Sequence, residues 1–201
     1  MGKSKDARQK VLRAAFEDIR LHGYQGANIN RIAKESGVTK GALFYHFRSK
    51  RELGLAVVDE VINPAIIHQW LEPLKLAEDS LTCLQSVIRQ MIRSSSAEQI
   101  RLGAPVLDLS LEMSPIDDEF RKRFDKTRKT WIEGVTKALR KEIERGVLGT
   151  DTDPRKTAIH ILAFLMGASA LGKGSQSVTL YRECLRRLID FLDALRLPGR
   201  N

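Results

Sequence analysis

The densest chemical signal in the chain is the run Ile32-Ala33-Lys34-Glu35-Ser36-Gly37-Val38-Thr39-Lys40-Gly41-Ala42-Leu43-Phe44-Tyr45-His46-Phe47. It reads as two short helices joined by a tight turn. Gly37 stands where the chain must turn through a backbone conformation that a side chain resists. Ala33 is small enough for the two helices to approach closely, and Ile32, Val38, Leu43 and Phe47 can knit both onto a third. The second helix then stands free, and its first residues can enter the major groove of a DNA duplex. Gly41 and Ala42 keep its backbone bare enough to lie close to the bases. The chemistry on offer is recognition of a polyanion that carries a readable edge.

Charge is distributed to match. Residues 1–53 hold twelve Lys/Arg against five Asp/Glu, whereas residues 54–201 hold 22 against 20. A basic N-terminal quarter is the electrostatic footprint of a polyanion binder, although basic helices are also often just solvated faces. Composition, at 42% hydrophobic and 29% charged, excludes a disordered chain. The full length can bury a real core, which 53 residues alone would do only marginally.

Other classes lack their residues. There is no Ser/His/Asp grouping, paired-His metal motif or phosphate-binding Gly-rich loop, and His22, His46, His68 and His160 are scattered. No catalytic residue, metal site or cofactor is expected, and the chain does not read as an enzyme. Cys83 and Cys184 have no metal spacing and read as free thiols in a reducing compartment. The richest apolar stretch, Ala158 to Leu171, contains His160 and is too short to span a bilayer. A cytoplasmic protein with no membrane partner is expected.

The elements that would position the motif are helical throughout. From Asp6 to Leu21 apolar residues fall on one helical face, and Gly23 ends that helix. Asn28, Thr39 and Ser49 are N-caps for the next three helices. The fourth carries Leu53, Val57, Val58, Val61 and Ile62, with a kink or break expected at Pro64. Helices follow from Leu81 to about Ser95, from Pro105 to Met113, and from the Ser114-Pro115 start signal to Gly146. Asp153-Pro154 starts another that Gly172 and Gly174 stop, and Val178 to about Arg196 forms the last. The fold class is all-α, with about nine helices. Its division is a three-helix helix-turn-helix domain over 1–53 and a helical ligand-binding and dimerisation domain over 54–201.

Over residues 8–55 the sequence resembles the TetR family of regulators. The resemblance rests on Gly23-Tyr24, Asn28, Ile32-Ala33 and the run from Gly37 to Arg51. It implies a transcriptional repressor that binds a palindromic operator in double-stranded DNA as a homodimer and is released by a small-molecule effector. It implies that Thr39, Lys40, Gly41 and Ala42 lie at the groove floor or its edge. Tyr45, His46 and Lys50 become phosphate contacts, with Asn28 near the backbone and Asn30 where a base can be read. Packing is the competing reading for Tyr45 and His46, and plain solvation for Lys40 and Lys50. Three departures bear on operator choice: Phe44 lacks a hydroxyl, Ala42 offers a methyl suited to thymine, and Arg51 adds positive charge near the DNA backbone.

Two roles stand open for the rest of the chain. The last two helices are apolar on more than one face, which a two-fold pairing would cover; packing within one monomer is the alternative. Ile62, Ile66, Trp70, Met91, Leu109, Met113, Phe124 and Trp131 can converge as the lining for an apolar or aromatic effector, or form an ordinary core. In the first case the effector shifts the fourth helix and changes the spacing of the two recognition helices. The reading from another class is an interaction protein, bound to DNA, whose C-terminal domain docks a protein partner and holds no ligand.

Overall fold

In the computed structural model of the chain, residues 2–198 are described, and they form an all-α fold. The helices are α1 (Gly2–Gly26), α2 (Ile29–Ser36), α3 (Lys40–His46), α4 (Lys50–Val57), α5 (Asn63–Ile66) and α6 (Glu72–Leu76). They continue as α7 (Ser80–Ser94), α8 (Ala97–Leu102), α9 (Pro105–Met113), α10 (Asp118–Glu144), α11 (Pro154–Ser175) and α12 (Val178–Ala194). Among the described residues no strand forms beyond one isolated bridge between Leu148 and Arg196.

The chain groups into two compact units. One runs to Ala65 and takes in Pro105–Lys126; the other holds Ile66–Ala104 and the chain from Thr127 onward. The expected division at residue 53 thus falls inside α4, ahead of the end of the first unit.

In the first unit α1 is the hub, in contact with α2, α3, α4 and α9. Its buried face is Val11, Leu12, Ala15 and Ile19, the spacing of one helical stripe. Ile32 and Ala33 of α2, Leu43 of α3, Phe47, and Leu53 and Val57 of α4 are buried with it. Gly23 interrupts α1 at φ 73°, ψ 168°, as its expected role as a stop requires.

The second unit has its own core, including Trp70, Leu84, Ile88, Trp131, Leu139, Ile161, Leu165, Leu185, Leu188 and Leu192. A buried carboxylate braces it. Glu142 accepts hydrogen bonds from the Ser80 amide at 2.9 Å and the Ser80 hydroxyl at 2.7 Å, and pairs with Arg145 at 3.2 Å. These contacts tie α10 to the first turn of α7.

Four boundaries differ from expectation, each for a physical reason. Pro64 does not break its helix: π-helical turns at Val58–Ile62 and Ile67–Leu71 link α4, α5 and α6 into a continuous helical run. The Asn63 amide reaches back five residues to the Val58 carbonyl. That widened turn accommodates the missing N–H and the ring. Ser114 and Pro115 lie in a turn, and Asp117 caps α10 by accepting from the Glu119 amide at 2.9 Å. Gly172 does not stop α11; it lets α12 approach, since a Cβ there would lie 2.9 Å from Cβ of Tyr181. The helix runs on to a C-cap at Gln176. At 22 residues α11 is, by length and composition, able to cross a bilayer, contrary to the shorter estimate; here it packs Ala158, Ile161, Leu165 and Ala168 into the core of its unit. Finally, α8 went unanticipated, although Ser96 and Gln99 form a reciprocal capping box at its start.

Candidate nucleic-acid interface

The two helices of the motif are capped by their own sequence. Asn28 Oδ1 accepts from the amides of Asn30 at 2.8 Å and Arg31 at 3.4 Å. The Asn28 amide in turn donates to the buried Asp18 carboxylate at 2.8 Å, which Arg31 also binds at 2.6 Å. Burial pushes the Asp18 carboxyl up, but Arg31 and the Asn28 amide outweigh it and hold it below the usual range. Gly37 ends α2 in the left-handed region at φ 69°, ψ 24°. Thr39 Oγ1 then starts α3 by accepting from the Ala42 amide at 3.1 Å.

α3 is divided cleanly into an inner and an outer side. Leu43 and the following Phe47 are fully buried, while Thr39, Lys40, Gly41 and Tyr45 face solvent and Ala42 and His46 are half-buried. Tyr45 is 82% exposed, too much for a packing residue, and its ring meets that of His46 edge-on at 5.3 Å. Asn28 and Asn30 are exposed on the α2 side.

At the start of α4 two cations have partners. The Lys50 ammonium donates to the Gln25 carbonyl at 3.0 Å and lies 4.9 Å over the Tyr24 ring. The Tyr24 ring meets Phe120 edge-on at 5.1 Å. Arg51 forms a two-pronged ion pair with Asp117, at 2.6 and 2.9 Å. The positive charge that Arg51 brings is therefore matched by Asp117 within the protein.

The segment from Pro105 to Lys126 supplies residues that the sequence did not flag. Glu112 accepts from the Tyr24 amide at 2.8 Å and from the Gln25 amide at 2.7 Å, beside Gly23. With 88 and 87 positions between the partners, no local pattern announces the contact.

The eight expected effector contacts divide between the units. Ile62, Leu109, Met113 and Phe124 are buried in the first. Trp70 and Trp131 are buried in the second with ring centroids 5.7 Å apart, and Ile66 and Met91 are half-buried against the same core. A shallow groove of about 420 Å³ on α12, lined by Thr179, Glu183, Arg186, Arg187, Ile189 and Asp190, includes none of the eight.

A capped two-helix unit with a solvent-facing second helix, carried on the basic end of the chain, defines a helix-turn-helix DNA-binding protein. Residues 11–57 match the bacterial regulatory proteins of the tetR family and residues 80–188 match the tetracyclin repressor-like C-terminal domain, so the chain belongs to the tetR family. It is a DNA-binding transcriptional regulator. The transcriptional regulator LmrA of Bacillus subtilis is 30% identical over 136 residues, covering 67% of this chain and 72% of LmrA. The transcriptional repressor AcnR of Corynebacterium efficiens is 28% identical over 96% of this chain and 94% of its own. The crystal structure of reduced NemR from E. coli superposes with a TM-score of 0.81 at 22% identity, over 95% of this chain and 97% of that one.

Proposed function

We propose that this protein is a homodimeric repressor that leaves its operator when a small apolar or aromatic effector binds. The observation that carries the DNA side of the reading is the division of α3, with Leu43 and Phe47 turned inward and Thr39, Lys40, Gly41 and Tyr45 outward. Thr39, Lys40, Gly41 and Ala42 meet the major groove; Tyr45, His46, Lys50 and Asn28 meet phosphates, and Asn30 reads a base. Residues 1–53 carry this task, and residues 54–201 carry dimerisation and sensing in the cytoplasm.

Dimerisation uses the last two helices. In support, α11 leaves Ile159 43% and Leu171 54% exposed on the subunit. A two-fold pair also presents two recognition helices to a palindrome, ~34 Å or a multiple apart. The effector is a small apolar or aromatic molecule, and the helical part of the chain after residue 53 receives it. It releases DNA only by favouring the non-operator state; a reversal from 99:1 requires about 5.5 kcal/mol of differential affinity.

Fluorescence anisotropy at fixed, near-physiological salt tests the reading, with DNA from upstream of the protein's own gene against a scrambled duplex of equal length. Nanomolar binding with at least ~1,000-fold preference is the expected result. Equal, weak binding to both would remove a local operator.

A further inference from the structure

We propose that Glu112 is a positioning residue for DNA binding: its carboxylate holds the turn that holds the Lys50 ammonium. The Lys50 ammonium rests on two supports, the Gln25 carbonyl at 3.0 Å and the face of the Tyr24 ring. Both residues send their backbone amides to Glu112, Tyr24 to one carboxylate oxygen and Gln25 to the other. The kink inside α1 just ahead of them is built for this. Gly23 adopts φ 73°, and a Cβ in its place would stand 3.1 Å from a Glu112 oxygen, so glycine gives both the conformation and the room.

An ammonium has three donors. With one spent on Gln25, two remain for a phosphate, and the side chain is fixed before DNA arrives. Order of this kind lowers the entropy lost on binding a long flexible side chain. Glu112 lies on α9 beside Met113 and three residues from Leu109, both buried in the same unit. A displacement of α9 therefore reaches Lys50 through two hydrogen bonds and a carbonyl, without passing through α3.

The inference rests on the reading of Lys50 as a phosphate contact, and the test separates the two. The full chain is titrated at several salt concentrations with a duplex selected from a randomised pool by the wild-type protein. Lys50→Met lowers the slope of log affinity on log salt by about 0.9 per subunit and weakens binding roughly five- to tenfold. Glu112→Gln, which keeps one acceptor and sets an amide NH₂ against a backbone N–H, lowers the slope in the same direction and weakens binding roughly threefold or more. The double variant binds no worse than Lys50→Met alone, because Glu112 acts through Lys50. A Glu112→Gln protein that binds as wild type, or a double variant whose loss is the product of the single losses, overturns the proposal. An unchanged slope in Lys50→Met strikes at the phosphate contact itself, and the role of Glu112 falls with it. Should Glu112→Gln fail to fold, Glu112→Asp, with its charge on a shorter arm, must give the same non-additive pattern; an additive one sinks the idea.

Discussion

Arg51 and Asp117 lie 66 positions apart and meet as a two-pronged ion pair at 2.6 and 2.9 Å. Asp117 is also the N-cap of α10, so one carboxylate closes a helix start and binds the first turn of α4. The Arg51 guanidinium, with help from the Glu119 and Phe120 amides, holds the Asp117 carboxyl down at about 2.

That shift sets a pH dependence. A carboxyl whose folded value is depressed contributes stability above its unfolded value, about 4, and loses it as pH falls through its folded value. Asp117→Asn keeps a capping oxygen and removes the charge. Thermal unfolding of wild type and variant should differ above pH 4 and converge as pH approaches 2. Parallel curves through that range would show that the pair contributes nothing on balance, the common outcome for exposed pairs.

On the recognition helix, hydroxyl and methyl groups should separate affinity from sequence preference. Tyr45→Phe should weaken operator and scrambled DNA alike, since a phosphate contact carries no base information. Ala42→Thr should instead change the preferred base at one position in each half-site, by roughly 1–3 kcal/mol. Anisotropy against a panel of single-base operator variants reads both effects. A Tyr45→Phe protein with altered base preference would move that side chain from phosphate to groove.

Two glycines of α11 predict opposite outcomes. A Cβ at Gly172 would stand 2.9 Å from Cβ of Tyr181, an atom that cannot move without its backbone. Gly172→Ala should cost about 1–3 kcal/mol in urea unfolding. A Cβ at Gly167 meets nothing within 4 Å in the subunit, so Gly167→Ala should gain up to about 1 kcal/mol from helix propensity. If Gly167→Ala instead lowers the concentration-dependent stability of the dimer, the space above it belongs to the partner.

The proposed dimer face has its own test. Ile159→Glu and Leu171→Glu place charges on exposed positions of α11 and should leave the monomer folded. Sedimentation equilibrium should show monomers, with a large loss of operator affinity because each half-site is then bound singly. Intact dimers in both variants would direct attention away from this face.

Short-range physics accounts for the part of this fold that could be read from the residues alone. Asn28, Thr39, Ser49 and Gly37 act on residues two to four positions away, so the caps and turn of the motif were legible, as was the stripe Val11, Leu12, Ala15 and Ile19. The inward residues of α3, Leu43 and Phe47, followed from the same periodicity, and the family resemblance implied its outward face. Where local rules misled, a distant partner or an alternative hydrogen-bond register had prevailed: the π turn absorbed Pro64, Tyr181 made Gly172 a contact point, and Asp117 started α10 after Pro115. Only the tertiary structure could match Glu112 to the Tyr24 and Gln25 amides, or Asp117 to Arg51. A charged side chain far along the chain carries no mark of the partner it will meet, because that choice is made by packing the helices and not by the residues beside it.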